Sequence, residues 1–117
     1  MAIRNFRELH VWKNGIDLVR SIYLLTKKFP DDEIFGLSSQ LRRAAVSIPS
    51  NIAEGYNRYH QKDYKRFLQI SLGSCAEIET QTEIAFELGF VSAEIKDKVI
   101  EDIVVESKML KSLIMKL

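Results

Sequence analysis

Between Leu37 and Gly55 the chain carries two stripes at helical spacing, and they make different demands on their surroundings. Leu37, Leu41, Ala45, Ile48 and Ile52 recur at intervals of three and four, the pattern of a helix with one buried face. Gln40, Ala44, Ser47, Asn51 and Glu54 recur at the same intervals beside them. The second stripe is small or amide-bearing rather than densely charged. It suits packing and hydrogen bonding between helices or subunits, and Gln40, Ser47, Asn51, Glu54 and, from a later segment, Glu77 are candidates for such a polar network. Pro49 lies in the middle. It removes one backbone donor and crowds the carbonyl of Ala45, but the apolar stripe stays in register across it. The pattern therefore predicts a helix that is kinked at Pro49 yet continuous, with Ser47 or Ser50 available to the freed carbonyl.

Three further segments have the length and period to pack against it. The first helix is expected from about Phe6 to Lys28, with Leu9, Trp12, Ile16, Val19 and Tyr23 as its stripe and Leu18, Ile22, Leu25 and Phe29 widening it. Asn5 and Glu8 have capping-box spacing. Gly15 costs about 1 kcal/mol relative to alanine in a helix interior; either it allows the close approach of a neighbour or it is simply tolerated. Phe29-Pro30-Asp31-Asp32 stops this helix. Asp31 or Asp32 caps a short turn, Gly36 breaks it, and Ser38 or Ser39 offers a cap for the second helix, which runs to about Tyr56. Gly55 or Asn57 is expected to take the left-handed conformation at its end. The third helix spans about Gln61 to Leu88, with Tyr64, Leu68, Ser71, Cys75, Ile78, Thr82 and Ala85 on one line. Its small residues from Ser71 to Ala76 match the small part of the second helix, Ala44 to Ala53, as packing partners. Ser92 caps a fourth helix that carries Ile95, Val99, Ile103, Glu106, Leu110, Leu113 and Leu117 near heptad spacing. No strand pattern or repeat is present. The fold class that follows is all-α: an antiparallel up-down-up-down four-helix bundle, one domain over residues 1–117.

Composition narrows the function classes. A chain of 117 residues buries roughly two-thirds of its unfolded surface, enough for a core without crosslinks. Cys75 is the single cysteine, so no intrachain disulfide forms and a reducing compartment fits. No apolar run approaches the ~20 residues of a membrane span, and residues 1–5 lead into the first helix without the apolar core of a signal peptide. The expected location is cytoplasmic. Net charge is only +1, but residues 1–66 hold twelve Lys/Arg against seven Asp/Glu, while residues 67–117 hold five against nine. Either one surface is basic, or the two halves complement each other where they pack.

Catalytic and metal chemistry find little support. A carboxylate-bridged metal site in a bundle needs Glu-x-x-His pairs, yet His10 and His60 are preceded at that spacing by Arg7 and Asn57. No glycine-rich phosphate loop and no set of nucleophile, base and orienting group occurs. The expectation is a non-enzyme without cofactor or metal. The feature with binding potential is basic and aromatic: Arg58, Tyr59, His60, Lys62, Lys65 and Arg66 follow Tyr56 at one end of the bundle, with Arg42 and Arg43 a few turns away. Basic groups meet phosphates, and exposed rings stack on unpaired bases. The alternative is a polar loop whose tyrosines cover the bundle end.

Phe6 to Trp12, Phe29-Pro30, Phe35-Gly36-Leu37 and, above all, the run from Gln40 to Gly55 resemble the small bacterial proteins encoded by intervening sequences in 23S ribosomal RNA genes. The resemblance covers nearly the whole chain. It implies an antiparallel four-helix bundle that assembles as a homopentamer, with no enzymatic activity assigned and with RNA or a ribonucleoprotein as possible partner. The family is also similar to the accessory variability protein of diversity-generating retroelements, a basic pentameric barrel that associates with a reverse transcriptase and nucleic acid. The motif positions that transfer are Gln40, Arg42, Arg43, Ser47, Asn51, Glu54 and Gly55. The competing function is a protein-interaction or scaffolding module without a nucleic-acid role.

Overall fold

The computed structural model describes residues 5–117; the expected lead-in over residues 1–4 lies outside the described residues. Four helices follow one another: α1 His10–Thr26, α2 Leu37–Tyr56, α3 Gln61–Glu87 and α4 Ala93–Met115. Among the described residues there is no strand. The body measures 44 × 24 × 21 Å, one long helix in length and two helices in each other direction.

α2 and α3 run antiparallel. Ser71 and Ser74 of α3 meet Ile48 and Ser47 of α2 in reversed order. Lys96 of α4 reaches Glu83 of α3, and Asn14 of α1 reaches Glu106 of α4. Leu41, Ala45, Ile48 and Ile52 are fully buried, so the apolar stripe of α2 forms the centre of the core with Ile22, Leu68, Ile78, Ile103 and Leu110. At about 25 cal/mol per Å² of apolar surface removed from water, this inward stripe is the main favourable term for the fold.

The helix ends show where local chemistry outweighs periodicity. The capping box forms as expected: Asn5 accepts from the Arg7 amide, and Glu8 accepts from the Asn5 amide. It closes only a 3₁₀ turn, Phe6–Glu8. Leu9 is extended and buried, which folds Phe6 back to stack on Trp12 at 5.4 Å, so α1 begins at His10 rather than Phe6. At the start of α2 the cap comes not from Ser38 or Ser39 but from Glu33, whose Oε1 accepts from the Leu37 amide at 3.1 Å. Ser92 caps α4 as expected, accepting from the Ile95 amide. At the end of α3 the Phe90 and Gly89 amides bond back to the Ala85 and Phe86 carbonyls, with Gly89 at φ +80. This is the Schellman arrangement, and it sets Phe90 against Phe29 at 5.5 Å.

α2 runs unbroken through the buried Pro49. The Ser47 hydroxyl accepts from both Asn51 and Ser74. Neither Gly55 nor Asn57 turns left-handed: Gly55 is helical and Asn57 has φ −83. The glycine is required for proximity instead. A Cβ there would stand 2.7 Å from Phe67 Cβ and 3.1 Å from the Tyr64 carbonyl oxygen. Gly55→Ala is expected to destabilise the fold by about 1–3 kcal/mol through overpacking. Gly73→Ala, in open space on the same helix pair, should stabilise it by about 0.5–1 kcal/mol. Urea unfolding of both variants beside the parent chain checks the opposite signs.

Candidate functional site

The small residues of α2 and α3 let the two backbones approach until side chains bond directly across them. Ser71 Oγ donates to the Ile48 carbonyl at 2.9 Å, and Ser74 Oγ donates to Ser47 Oγ at 2.9 Å. Asn51 donates to the Ser47 carbonyl and hydroxyl at 2.8 and 2.9 Å. Ser47 and Asn51 are thus bonded to each other on α2, and Ser47 to Ser74 of α3, with the Ser71–Ile48 bond alongside. The other expected members of the polar network lie apart. Glu54 is exposed and pairs with Arg58 at 2.9 Å. Gln40 and Glu77 are exposed and line a groove of ≈ 540 Å³ between α2 and α3, together with Arg43 and Gln81.

The basic residues divide in the same way. Arg42 is half-buried in the seam between α1 and α2, where Nε donates to Thr26 Oγ1 at 2.7 Å and the guanidinium lies 4.8 Å from the Tyr23 ring. Arg43 is exposed. Glu54 pairs with Arg58 and Glu83 with Lys96. At the α2–α3 turn, Arg58, Tyr59, His60, Lys62, Lys65 and Arg66 all reach solvent, and Tyr59 is completely exposed at 102%. The guanidiniums of Arg58 and Arg66 each lie 4.9 Å from the Phe67 ring centre, so one aromatic platform positions two cations. Beneath them Tyr56 and Tyr64 meet edge to face at 5.9 Å. Burial, with the neighbouring Tyr56 adding to it, raises the Tyr64 pKa, so this phenol stays neutral.

The interior holds a feature that periodicity alone passed over. Glu106, on the apolar line of α4 between Ile103 and Leu110, is 0% exposed. Its Oε1 accepts from Asn14 Nδ2 at 3.0 Å, while Oε2 is buried without a hydrogen-bond partner. Gly15 makes the room: a Cβ there would stand 3.3 Å from Oε2 and 3.4 Å from both Ile48 Cγ2 and Pro49 Cβ. Cys75 of α3 is close enough to feel the carboxylate. All four helices thus converge on one carboxyl. Burial pushes Glu106 up to about 7, with the Asn14 hydrogen bond opposing only part of that shift. Burial likewise pushes the Cys75 thiol up to about 11, so it is a poor nucleophile. The available signal was a carboxylate standing on a heptad line; the Asn14 partner came from a different face of α1 and had none. Among the described residues no group of three His, Cys, Asp or Glu side chains is placed to hold a metal ion. No helix of the described residues is long and apolar enough to cross a membrane.

Residues 7–112 match the family described as 23S rRNA-intervening sequence protein. The chain belongs to that family. The bundle is also similar, with a TM-score of 0.83 and 25% sequence identity, to the crystal structure of a protein of unknown function from the S23 ribosomal protein family of Bacteroides thetaiotaomicron. The similarity covers 89% of this chain and 97% of that one. Comparison with curated proteins returns no match. No catalytic family is indicated for this intervening-sequence protein.

The buried carboxyl has a consequence for stability. The folded chain holds the Glu106 proton more tightly than the unfolded chain, whose carboxyl titrates near 4.5. Its favourable share is therefore complete below about 4.5 and is lost as pH rises through about 7. The loss is about 3 kcal/mol once the group is ionised. Glu106→Gln keeps an acceptor for Asn14 and removes the titration. Denaturant unfolding at a series of pH values should show this variant gaining about 3 kcal/mol on the parent chain between pH 4.5 and 8; a pH-independent difference would contradict the assignment.

Proposed function

We propose that this intervening-sequence protein is a non-enzymatic, self-associating bundle that binds RNA or a ribonucleoprotein through the basic end formed by the α2–α3 turn. The observation that carries this reading is the pair of guanidiniums on Phe67 beside the fully exposed ring of Tyr59. Flat cations on a fixed platform pair with phosphate or stack on a base, and an unobstructed tyrosine offers a second stacking surface. Lys62 and Lys65 extend the positive field along the first turns of α3. Two acidic groups lie close by, Glu54 engaged with Arg58 and the half-buried Asp63. The net sign of the turn therefore remains positive although the chain as a whole is nearly neutral.

Self-association into the homopentamer that the family resemblance implies would place several such ends on one particle. Repetition multiplies weak contacts by raising the local concentration of sites, which suits a single end carrying few cations. A second reading, a protein-interaction scaffold without nucleic acid, is favoured by a different observation. Leu24 and Ile95 are exposed along a groove of ≈ 510 Å³ between α1 and α4. A defined protein partner that co-purifies after nuclease treatment would support that reading.

Fluorescence anisotropy with single-stranded and structured RNA at two salt concentrations tests the first reading. Binding in the micromolar range should weaken steeply with salt, and the Lys62→Glu, Lys65→Glu, Arg66→Glu triple variant should flatten the salt slope by about 0.7 per lost phosphate contact. Absence of binding at low salt sinks the reading. Light scattering should give about five times the chain mass of 13.5 kDa; a monomer at micromolar concentration overturns the self-association.

A further inference from the structure

A small cleft opens at the start of α2, at the opposite end of that helix from the basic turn. Thr26 and Lys27 at the end of α1, Asp31 of the connecting turn, and Ser38 and Arg42 of α2 line it. Its volume is ≈ 190 Å³, below the roughly 300–1,000 Å³ of sites that enclose a whole small molecule, so it suits one chemical group. Arg42 is held in place there. Its Nε donates to Thr26 Oγ1 at 2.7 Å and its guanidinium lies 4.8 Å from the Tyr23 ring centre, while its Nη groups have no hydrogen-bond or ion-pair partner among the described residues. Ser38 stands one turn earlier on the same face of α2, at the i,i+4 spacing that makes helix neighbours. It is only 4% exposed, and its hydroxyl makes no hydrogen bond among the described residues. Nor is that hydroxyl sealed off: the unpartnered side-chain atoms closed to water are Gln81 Oε1, Thr82 Oγ1 and Glu106 Oε2. It is therefore unbonded and open to the cleft it lines, and native folds rarely leave a nearly buried hydroxyl so. Glu33 takes the Leu37 amide, but the Ser38 and Ser39 amides donate to no carbonyl among the described residues.

We propose that this cleft binds a terminal phosphate group, as inorganic phosphate or a phosphomonoester, with Arg42 and Lys27 on its oxygens and the Ser38 hydroxyl donating to a third. Lys27 has no ion-pair partner among the described residues, so two cations face the single carboxylate of Asp31. A guanidinium offers a phosphate a flat fork of N–H donors, and one already fixed through Nε loses less freedom on binding. The first turn of α2 adds the positive end of its dipole. Asp31 supplies selectivity. A monoester has its second pKa near about 6, so it retains a P–OH in part of the population and donates it to a carboxylate. A diester such as the RNA backbone has no P–OH and meets Asp31 with repulsion alone. None of these residues belongs to the turn assigned to RNA, so failure of RNA binding leaves this site standing, and the reverse holds equally.

Phosphorus-31 NMR on the full chain, with inorganic phosphate, methyl phosphate and dimethyl phosphate as probes at fixed ionic strength, tests it. Saturable line broadening with a dissociation constant on the order of 1 mM is expected for the first two. The tighter of them identifies the source, the free ion or a monoester whose remainder projects into solvent. Dimethyl phosphate should bind about tenfold more weakly. Ser38→Ala should weaken methyl phosphate about tenfold while its melting temperature holds or rises, because the hydroxyl it removes has no partner in the free chain. Lys27→Gln, at an exposed side chain, should weaken it about threefold. The Lys62→Glu, Lys65→Glu, Arg66→Glu triple variant should bind the probes like the parent chain. The proposal is overturned by absence of saturable broadening up to about 20 mM, by dimethyl phosphate binding as well as methyl phosphate, or by Ser38→Ala leaving affinity unchanged.

Discussion

Close approach of α2 and α3 is the constraint on which the rest of the molecule depends. Large side chains along Ala44, Ala45 and Ser47, or along Ser71, Ser74 and Cys75, would hold the two helices apart. With small ones, the Ser71 hydroxyl reaches the Ile48 backbone and Ser74 reaches Ser47. Direct side-chain-to-backbone bonds fix rotation and register more sharply than apolar packing, because a hydrogen bond weakens steeply away from its preferred distance and angle. The same proximity explains Gly55, which lies against Phe67 and the Tyr64 backbone where the helices turn. It also sets the width of the polar groove, whose walls are the outward edges of this one contact.

The tight pair determines what is presented outside. At its turn Arg58 and Arg66 lie across Phe67 while Tyr59 projects into water. Along its flank Arg43 and Glu77 stay separate, each on its own helix. Arg42, one position away, is turned inward by the helical rotation of about 100° per residue and spends its Nε on Thr26. Adjacent arginines in sequence thus take different tasks, one sealing a helix seam and the other lining a groove.

The periodicity of the sequence was sufficient for the four helices and for the choice of α2 and α3 as the closest pair. Apolar residues at intervals of three and four carry the burial that places the helices, and helix type follows from it. The exceptions share a cause. Leu9 leaves the helix because its burial and the Phe6–Trp12 contact outweigh continuation of the pattern. Glu33 replaces the serine caps because a side chain from the preceding turn reaches the Leu37 amide first. Gly55 remains helical because the demand upon it comes from α3 and not from its own backbone. Each is a contact between residues that no single-helix period relates. The candidate site was legible to the same extent: the basic turn could be read as a run of residue types, whereas the grouping of Arg43, Glu77 and Gln81 needed two helices aligned side by side.

Glu106 shows the same limit and gives the central polar contact its meaning. A carboxyl that loses about 3 kcal/mol of stability on ionising near neutral pH is poorly explained as a stabilising group. An apolar residue of similar volume would pack there without that loss, but Asn14 would then lose this acceptor and with it the α1–α4 hydrogen bond. Sliding α1 by one turn moves Asn14 by about 5.4 Å, well beyond hydrogen-bond reach, and carries Gly15 away from the carboxylate it accommodates. The neighbouring turns of α1, four residues away, would bring Val11 or Val19 to the place of Gly15, against Glu106 Oε2. Misregister of α1 is thereby penalised twice, by a lost hydrogen bond and by a steric conflict at the glycine. Apolar stripes on α1 and α4 are broad enough to tolerate sliding; the Asn14–Glu106–Gly15 contact is the part of their interface that discriminates one register from the next.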